Sequence, residues 1–134
     1  EMLEAGFTPV GEFHYLRHDV DGRPCAKLAE MAERIAAASA QTRIGLTLLP
    51  SFYAYGGFGG VPPASGQRRF INDPERFLDL VQQARATVAA LPQGRVGIAP
   101  HSLRAVTPAT LRAVCQATPE GPIHIHAAEQ LREV

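Results

Sequence analysis

The chain contains no tryptophan, two cysteines and no surplus charge, since 13 Lys and Arg balance 13 Asp and Glu over 134 residues. Each scarcity excludes something. Cys25 and Cys115 stand far apart and neither belongs to a CxxC pair. They make no disulfide framework and read as reduced thiols of a cytoplasmic protein. The absence of a basic excess argues against a nucleic-acid partner. No apolar run approaches the ~20 residues that span a bilayer, so a membrane partner is not expected. The chain opens on Glu1 without a charged-then-apolar leader. What is present is 46% hydrophobic and 19% charged residues, the balance of one ordinary globular domain or part of a larger one, and not of a disordered tail.

Hydrophobic patterning alternates between two periods. Phe7 to Phe13 reads as a short strand, weakened by Pro9. After the polar stretch 14–25, Lys27 to Gln41 is Ala-rich with Leu28, Met31 and Ile35 at helical spacing. Arg43 to Pro50 is almost continuously apolar, as a buried parallel strand should be. The Gly- and Pro-rich stretch 51–72 exceeds the ~12–15 residues of a passive connection and is expected to be a functional loop. Asp73-Pro74 supplies an N-cap with proline at the first helical position. Phe77, Leu80, Val81, Ala84, Val88 and Leu91 then fall on one helical face. Arg95 to Ala99 predicts a third strand, and Thr107-Pro108 repeats the helix start ahead of Leu111, Val114 and Cys115. Gly121-Pro122 precedes a fourth strand, Ile123 to His126, and AAEQLREV looks like a further helix.

The predicted order is therefore α/β, about four parallel strands alternating with three helices, with right-handed crossovers. It closes either as a doubly wound sheet or as part of a (β/α)8 TIM barrel. A complete barrel takes ~250 residues, so the chain resembles a fragment covering half of one. The histidines favour the barrel. His14 and His18 follow the first strand, His101 the third, and His124 and His126 end the fourth. Polar side chains after successive strands are what a barrel's active-site face requires, whereas an open sheet gathers them at one switch point. GGFGG at 56–60 is followed by no Lys-Ser/Thr pair and opens no helix, so it reads as a flexible lid and not a phosphate cradle.

His124-Ile125-His126-Ala127-Ala128-Glu129 carries the sharpest chemical signal. Residues two apart on a strand share a face, so His126 points with His124 and lies nearer the rim. A neutral imidazole there suits a first-row metal, and a carboxylate three residues on can move protons for a metal-activated water. The same residues also fit a satisfied core with one solvent-facing glutamate.

HIHAAEQ resembles the fifth-strand motif of the amidohydrolase superfamily. GEFHYLRHDVDG, FYAYGGFGG, GQRRFIND and PHSLRAVTP, in that order along the whole chain, are similar to its formimidoylglutamate deiminases. The resemblance implies that residues 1–134 are a partial catalytic domain covering barrel strands two to five, with the metal-site strands one, six and eight outside it. It implies a cytoplasmic hydrolase of histidine degradation that uses a divalent metal ion of zinc type and a small-molecule substrate. His126 is the implied metal ligand, Glu129 the catalytic proton shuttle, and Tyr15, His101 and Arg104 the substrate-binding residues. Arg104 offers the planar fork that a substrate carboxylate takes.

Two positions depart from the family pattern: Tyr55 stands where histidine is expected and Pro9 where threonine is expected. Two other readings stay open at this point, a deaminase of an aminated heterocycle and a non-catalytic α/β fragment. Outer strands without neighbours would also make the 134-residue chain self-associate as a homo-oligomer.

Overall fold

The computed structural model describes residues 1–134. Its strands are β1 (Pro9–His14), β2 (Gly45–Phe52), β3 (Gly94–Val96) and β4 (Ala99–Pro100), and its helices are α1 (Glu30–Thr42), α2 (Pro74–Val88) and α3 (Pro108–Ala117). No helix is long and apolar enough to cross a membrane.

β2 is central because its side chains are apolar on both faces. Leu46, Leu48, Leu49 and Phe52 are all buried along it. It pairs in parallel with β1 from Pro9↔Gly45 to His14↔Pro50, and on its other edge with β3 and then β4. The helices start where local chemistry dictates. Asp73 accepts the Arg76 N–H at 2.8 Å ahead of Pro74. Thr107 and Thr110 cap each other reciprocally, each hydroxyl oxygen accepting the other's backbone N–H. The α2 face of Phe77, Leu80, Val81, Ala84 and Val88 is fully buried.

Consecutive helices touch, α1 against α2 and α2 against α3, while α1 and α2 both pack on β2. The helices thus form one layer on one face of a sheet whose parallel strands follow chain order. A doubly wound sheet would reverse its order and place helices on both faces. The observed arrangement is that of a barrel sector.

Three expected elements differ from what is found. The third strand, expected unbroken from Arg95 to Ala99, is split into β3 and β4. The expected fourth strand, Ile123–His126, forms only two single parallel bridges, Ile98↔Ile123 and Ser102↔His126. The cause is a bulge: Ile98 to Ser102 is four steps, Ile123 to His126 three, so one residue on the inner side has no opposite number. The segments are still joined, by His124 N–H to the Ile98 carbonyl and His126 N–H to the His101 carbonyl, both at 2.9 Å. The expected C-terminal helix is a single 3-10 turn, Leu131–Glu133.

Two glycines set how closely this last segment lies. A Cβ on Gly97 would collide with the Pro122 carbonyl oxygen, and one on Gly121, whose φ is +91°, with the Val96 carbonyl oxygen. The backbones touch here without side chains between them. That contact brings residues 122–126 within hydrogen-bonding reach of the third strand.

Candidate active site

Every chemically distinctive side chain near the sheet follows the C-terminal end of a strand. Tyr15 lies one residue beyond β1, Tyr53 one beyond β2 and His101 one beyond β4, while His126 and Glu129 come from the bulged final segment. Arg104 sits in the turn between β4 and α3. The loop carrying Tyr15 is stitched down by the Arg17 and His18 N–H groups, which donate to the Arg69 carbonyl at 3.0 and 3.1 Å. A cleft of about 670 Å³ opens here, lined by Tyr15, Tyr53, Phe70, His101 and Arg104 among others. A hollow of about 440 Å³ at the opposite end of the sheet, near Gly45 and Gln93, lies far from this cluster.

Arg104 is the hub. One guanidinium nitrogen, Nη1, donates to the Tyr53 hydroxyl at 2.6 Å. The other, Nη2, lies 2.9 Å from His101 Nε2 and 3.4 Å from Glu129 Oε1. Its Nε is buried without a partner. A guanidinium cannot accept a hydrogen bond, so His101 Nε2 must be the acceptor and the imidazole proton sits on Nδ1. That N–H faces the Tyr15 oxygen at 3.0 Å, which frees the Tyr15 O–H to point at His126 Nε2, 3.5 Å away. Burial keeps His101 below its ordinary pKa, with Arg104 and His126 adding to the effect and Glu129 opposing it. A neutral imidazole is what this pattern requires.

Burial works against ionisation of Glu129, but the Ser102 hydroxyl and the Arg104 guanidinium outweigh it and hold the carboxyl below its usual range. Ser102 completes no well-formed hydrogen bond, so Arg104, at 3.4 Å, is the partner with demonstrable geometry. Burial raises the Tyr15 hydroxyl, and Glu129 and Tyr53 raise it further against Arg104. It stays protonated at neutral pH and available to donate.

All five residues singled out in the sequence, Tyr15, His101, Arg104, His126 and Glu129, lie in this one cluster. The other histidines do not. His18 Nε2 bonds the Ile71 carbonyl at 2.9 Å. His124 stacks on Phe13 with centroids 5.3 Å apart at the cluster's flank. His14 is buried and lines the same cleft beside Tyr15, but it bonds to none of the five. Tyr53, within FYAYGGFGG, is a site residue that no sequence motif singles out. The signal that could have found it is positional, because it is the first residue past a buried strand, as Tyr15 and His101 are.

His14 offers a stability test. Burial first and Arg17 second lower its pKa from 6.5 to about 4. The unfolded chain protonates it near 6.5 and the folded chain only near 4, so the unfolded state binds more protons between those values. Stability present above pH 6.5 is therefore lost as pH falls toward 4, by a contribution on the order of 3 kcal/mol. His14→Phe should flatten the urea-midpoint profile across that window. An unaltered slope in the variant would remove His14 as its cause.

The donors present, the His126 imidazole with the Glu129 carboxylate nearby, fit the chemistry of one side of a divalent-metal site. No group of three or more His, Cys, Asp or Glu side chains within the chain is arranged to hold a metal ion.

No family model matches the chain. Over its whole length it is 51% identical to a formimidoylglutamate deiminase of Pseudomonas aeruginosa, of which it spans 30%. Its fold superposes on an amidohydrolase from Brucella melitensis with a TM-score of 0.94 and 61% identity, covering 99% of this chain and 30% of that one. A triazine hydrolase from Arthobacter aurescens superposes with a TM-score of 0.73 over 97% of this chain and 28% of that one, at 17% identity, a likeness of fold alone.

Proposed function

We propose, for a chain that belongs to the amidohydrolase family, that the whole protein is a metal-dependent hydrolase converting N-formimidoyl-L-glutamate to N-formyl-L-glutamate and ammonia. Residues 1–134 form part of its catalytic domain. The observation that carries this reading is the pairing of a fixed guanidinium on the cleft wall, Arg104, with a carboxylate, Glu129, 3.4 Å from it.

Arg104 keeps an Nη1 N–H beyond the one Tyr53 accepts, on a partly exposed planar fork suited to a substrate carboxylate. Tyr15 and neutral His101 are donors and acceptors along the wall of the cleft and hold the substrate's polar backbone. The formimino group is cationic, and Glu129 attracts it. Water adds to the formimino carbon. Glu129 takes one proton from that water and delivers it to the departing nitrogen; as the C–N bond breaks, the remaining hydroxyl proton is lost to the ammonia, which leaves as ammonium, and a formyl carbonyl remains. A divalent ion of zinc type, held here by His126 and by residues outside this chain, would supply activation of the water.

Ammonia release from N-formimidoyl-L-glutamate by the full-length protein, supplied with divalent metal, tests the reading. Turnover of an aminated heterocycle in its place would overturn it. Arg104→Lys retains the charge but loses the fork. It should raise KM for formimidoylglutamate by about tenfold or more, the scale of one charged hydrogen bond, with a far smaller effect on a formamidine lacking carboxylates. Equal effects on both substrates would show that Arg104 reads no carboxylate.

A further inference from the structure

We propose that Tyr53, braced by Gln67, is the positioning residue that aims Arg104 at the substrate carboxylate, tying the glycine-rich loop after β2 to the carboxylate clamp. The proposal rests on the reading of Arg104 given above.

Tyr53 is 4% exposed, buried at the foot of the cleft. It touches Arg104 twice: the hydroxyl accepts from Nη1 at 2.6 Å, and the guanidinium carbon lies 5.7 Å from the ring centroid. The same ring lies tilted against His101, centroids 4.9 Å apart at 32°, and meets Phe70 edge-on at 5.0 Å. One side chain therefore supports both the guanidinium and the imidazole that the guanidinium donates to.

The tyrosine oxygen is held in turn. Gln67 Nε2 donates to it at 2.9 Å. Gln67 cannot flip, because its Oε1 accepts the Ala64 N–H at 2.7 Å. That amide oxygen leaves no space for a Cβ at Gly56, which would stand 2.9 Å from it and 2.6 Å from the Pro62 carbonyl oxygen. The loop from Gly56 to Gln67 is thus folded around the amide that fixes Tyr53. An arginine carries several rotatable bonds, and a partner that orders it before substrate arrives lowers the entropy cost of binding. Tyr53 is placed to do that without touching the reacting atoms.

Tyr53→Phe keeps the ring and removes only the hydroxyl. In the full-length protein it should weaken binding of glutarate, a bare dicarboxylate probe, by about tenfold in calorimetry. It should raise KM for formimidoylglutamate by a similar factor with a smaller change in kcat. Gln67→Leu should act in the same direction, and the double variant should be no worse than Tyr53→Phe, because the two residues act in series. Unchanged glutarate affinity in Tyr53→Phe, strictly additive losses, or no glutarate binding by the unaltered protein would each overturn the relay. Should Tyr53→Phe fail to fold, Gln67→Leu alone decides by the same glutarate measurement. Glutarate binding that depends on Tyr53 in a protein that does not turn over formimidoylglutamate would sink the proposed substrate and leave the relay standing.

Discussion

Glu129→Gln in the full-length protein should retain metal, bind the cationic substrate more weakly, and lose roughly 10²–10⁴ in turnover at saturating substrate, the usual share of a general acid/base. The substitution keeps the size of the side chain and its contact with Arg104 Nη2, now 3.4 Å from Oε1. What it removes is the capacity to accept a proton. The surroundings hold the Glu129 carboxyl ionised, against its partial burial, through Ser102 and Arg104. A base that is ionised throughout the neutral range can take a proton from water at every turnover, and an amide cannot. Metal content by elemental analysis and ammonia release at saturating substrate are the two measurements. Normal turnover with normal metal content would remove Glu129 from the chemistry. A lost metal would move it from proton transfer to the metal site. His126→Ala is the companion change, and it is the one expected to lose metal.

A loss of comparable size is expected from a residue that touches no ligand. Gly97→Ala places a methyl group against the Pro122 carbonyl oxygen and within 2.8 Å of a Leu49 methyl carbon. Neither neighbour can swing away: one is backbone and the other is a buried side chain of β2 itself. The final segment must move outward, and with it the two bridges that seat His126 and Glu129 beside His101. Overpacking of this kind costs typically about 1–3 kcal/mol of stability. A displacement of about 1 Å at catalytic groups can cost on the order of 10² in rate. The full-length Gly97→Ala protein should therefore show a lowered Tm together with a kcat loss larger than the stability change explains. Gly66→Ala is the control, since nothing lies within 4 Å of a Cβ there and its φ is not positive. If both variants behave alike, close approach at Gly97 does not place the site.

What the sequence determined by itself is local. The caps at Asp73-Pro74 and Thr107-Pro108, the buried α2 face beginning at Phe77 and the unbroken apolar run of β2 each follow from side chains within one or two turns of one another. The order of strands and helices follows from them, and strand-end polar residues sufficed to favour a barrel sector over a doubly wound sheet. The tertiary structure decided the rest. The last segment reads as a strand by composition, yet a one-residue bulge opposite it leaves only single bridges at Ile123 and His126. Tyr53 and Arg104 are 51 positions apart and Tyr15 and His126 are 111 apart, and no periodicity encodes such pairings. Periodicity records which face a residue buries. Hydrogen-bond partners depend on strand register and on how closely two backbones approach, and here that approach is set by Gly97 against Gly121, a contact defined by the absence of side chains.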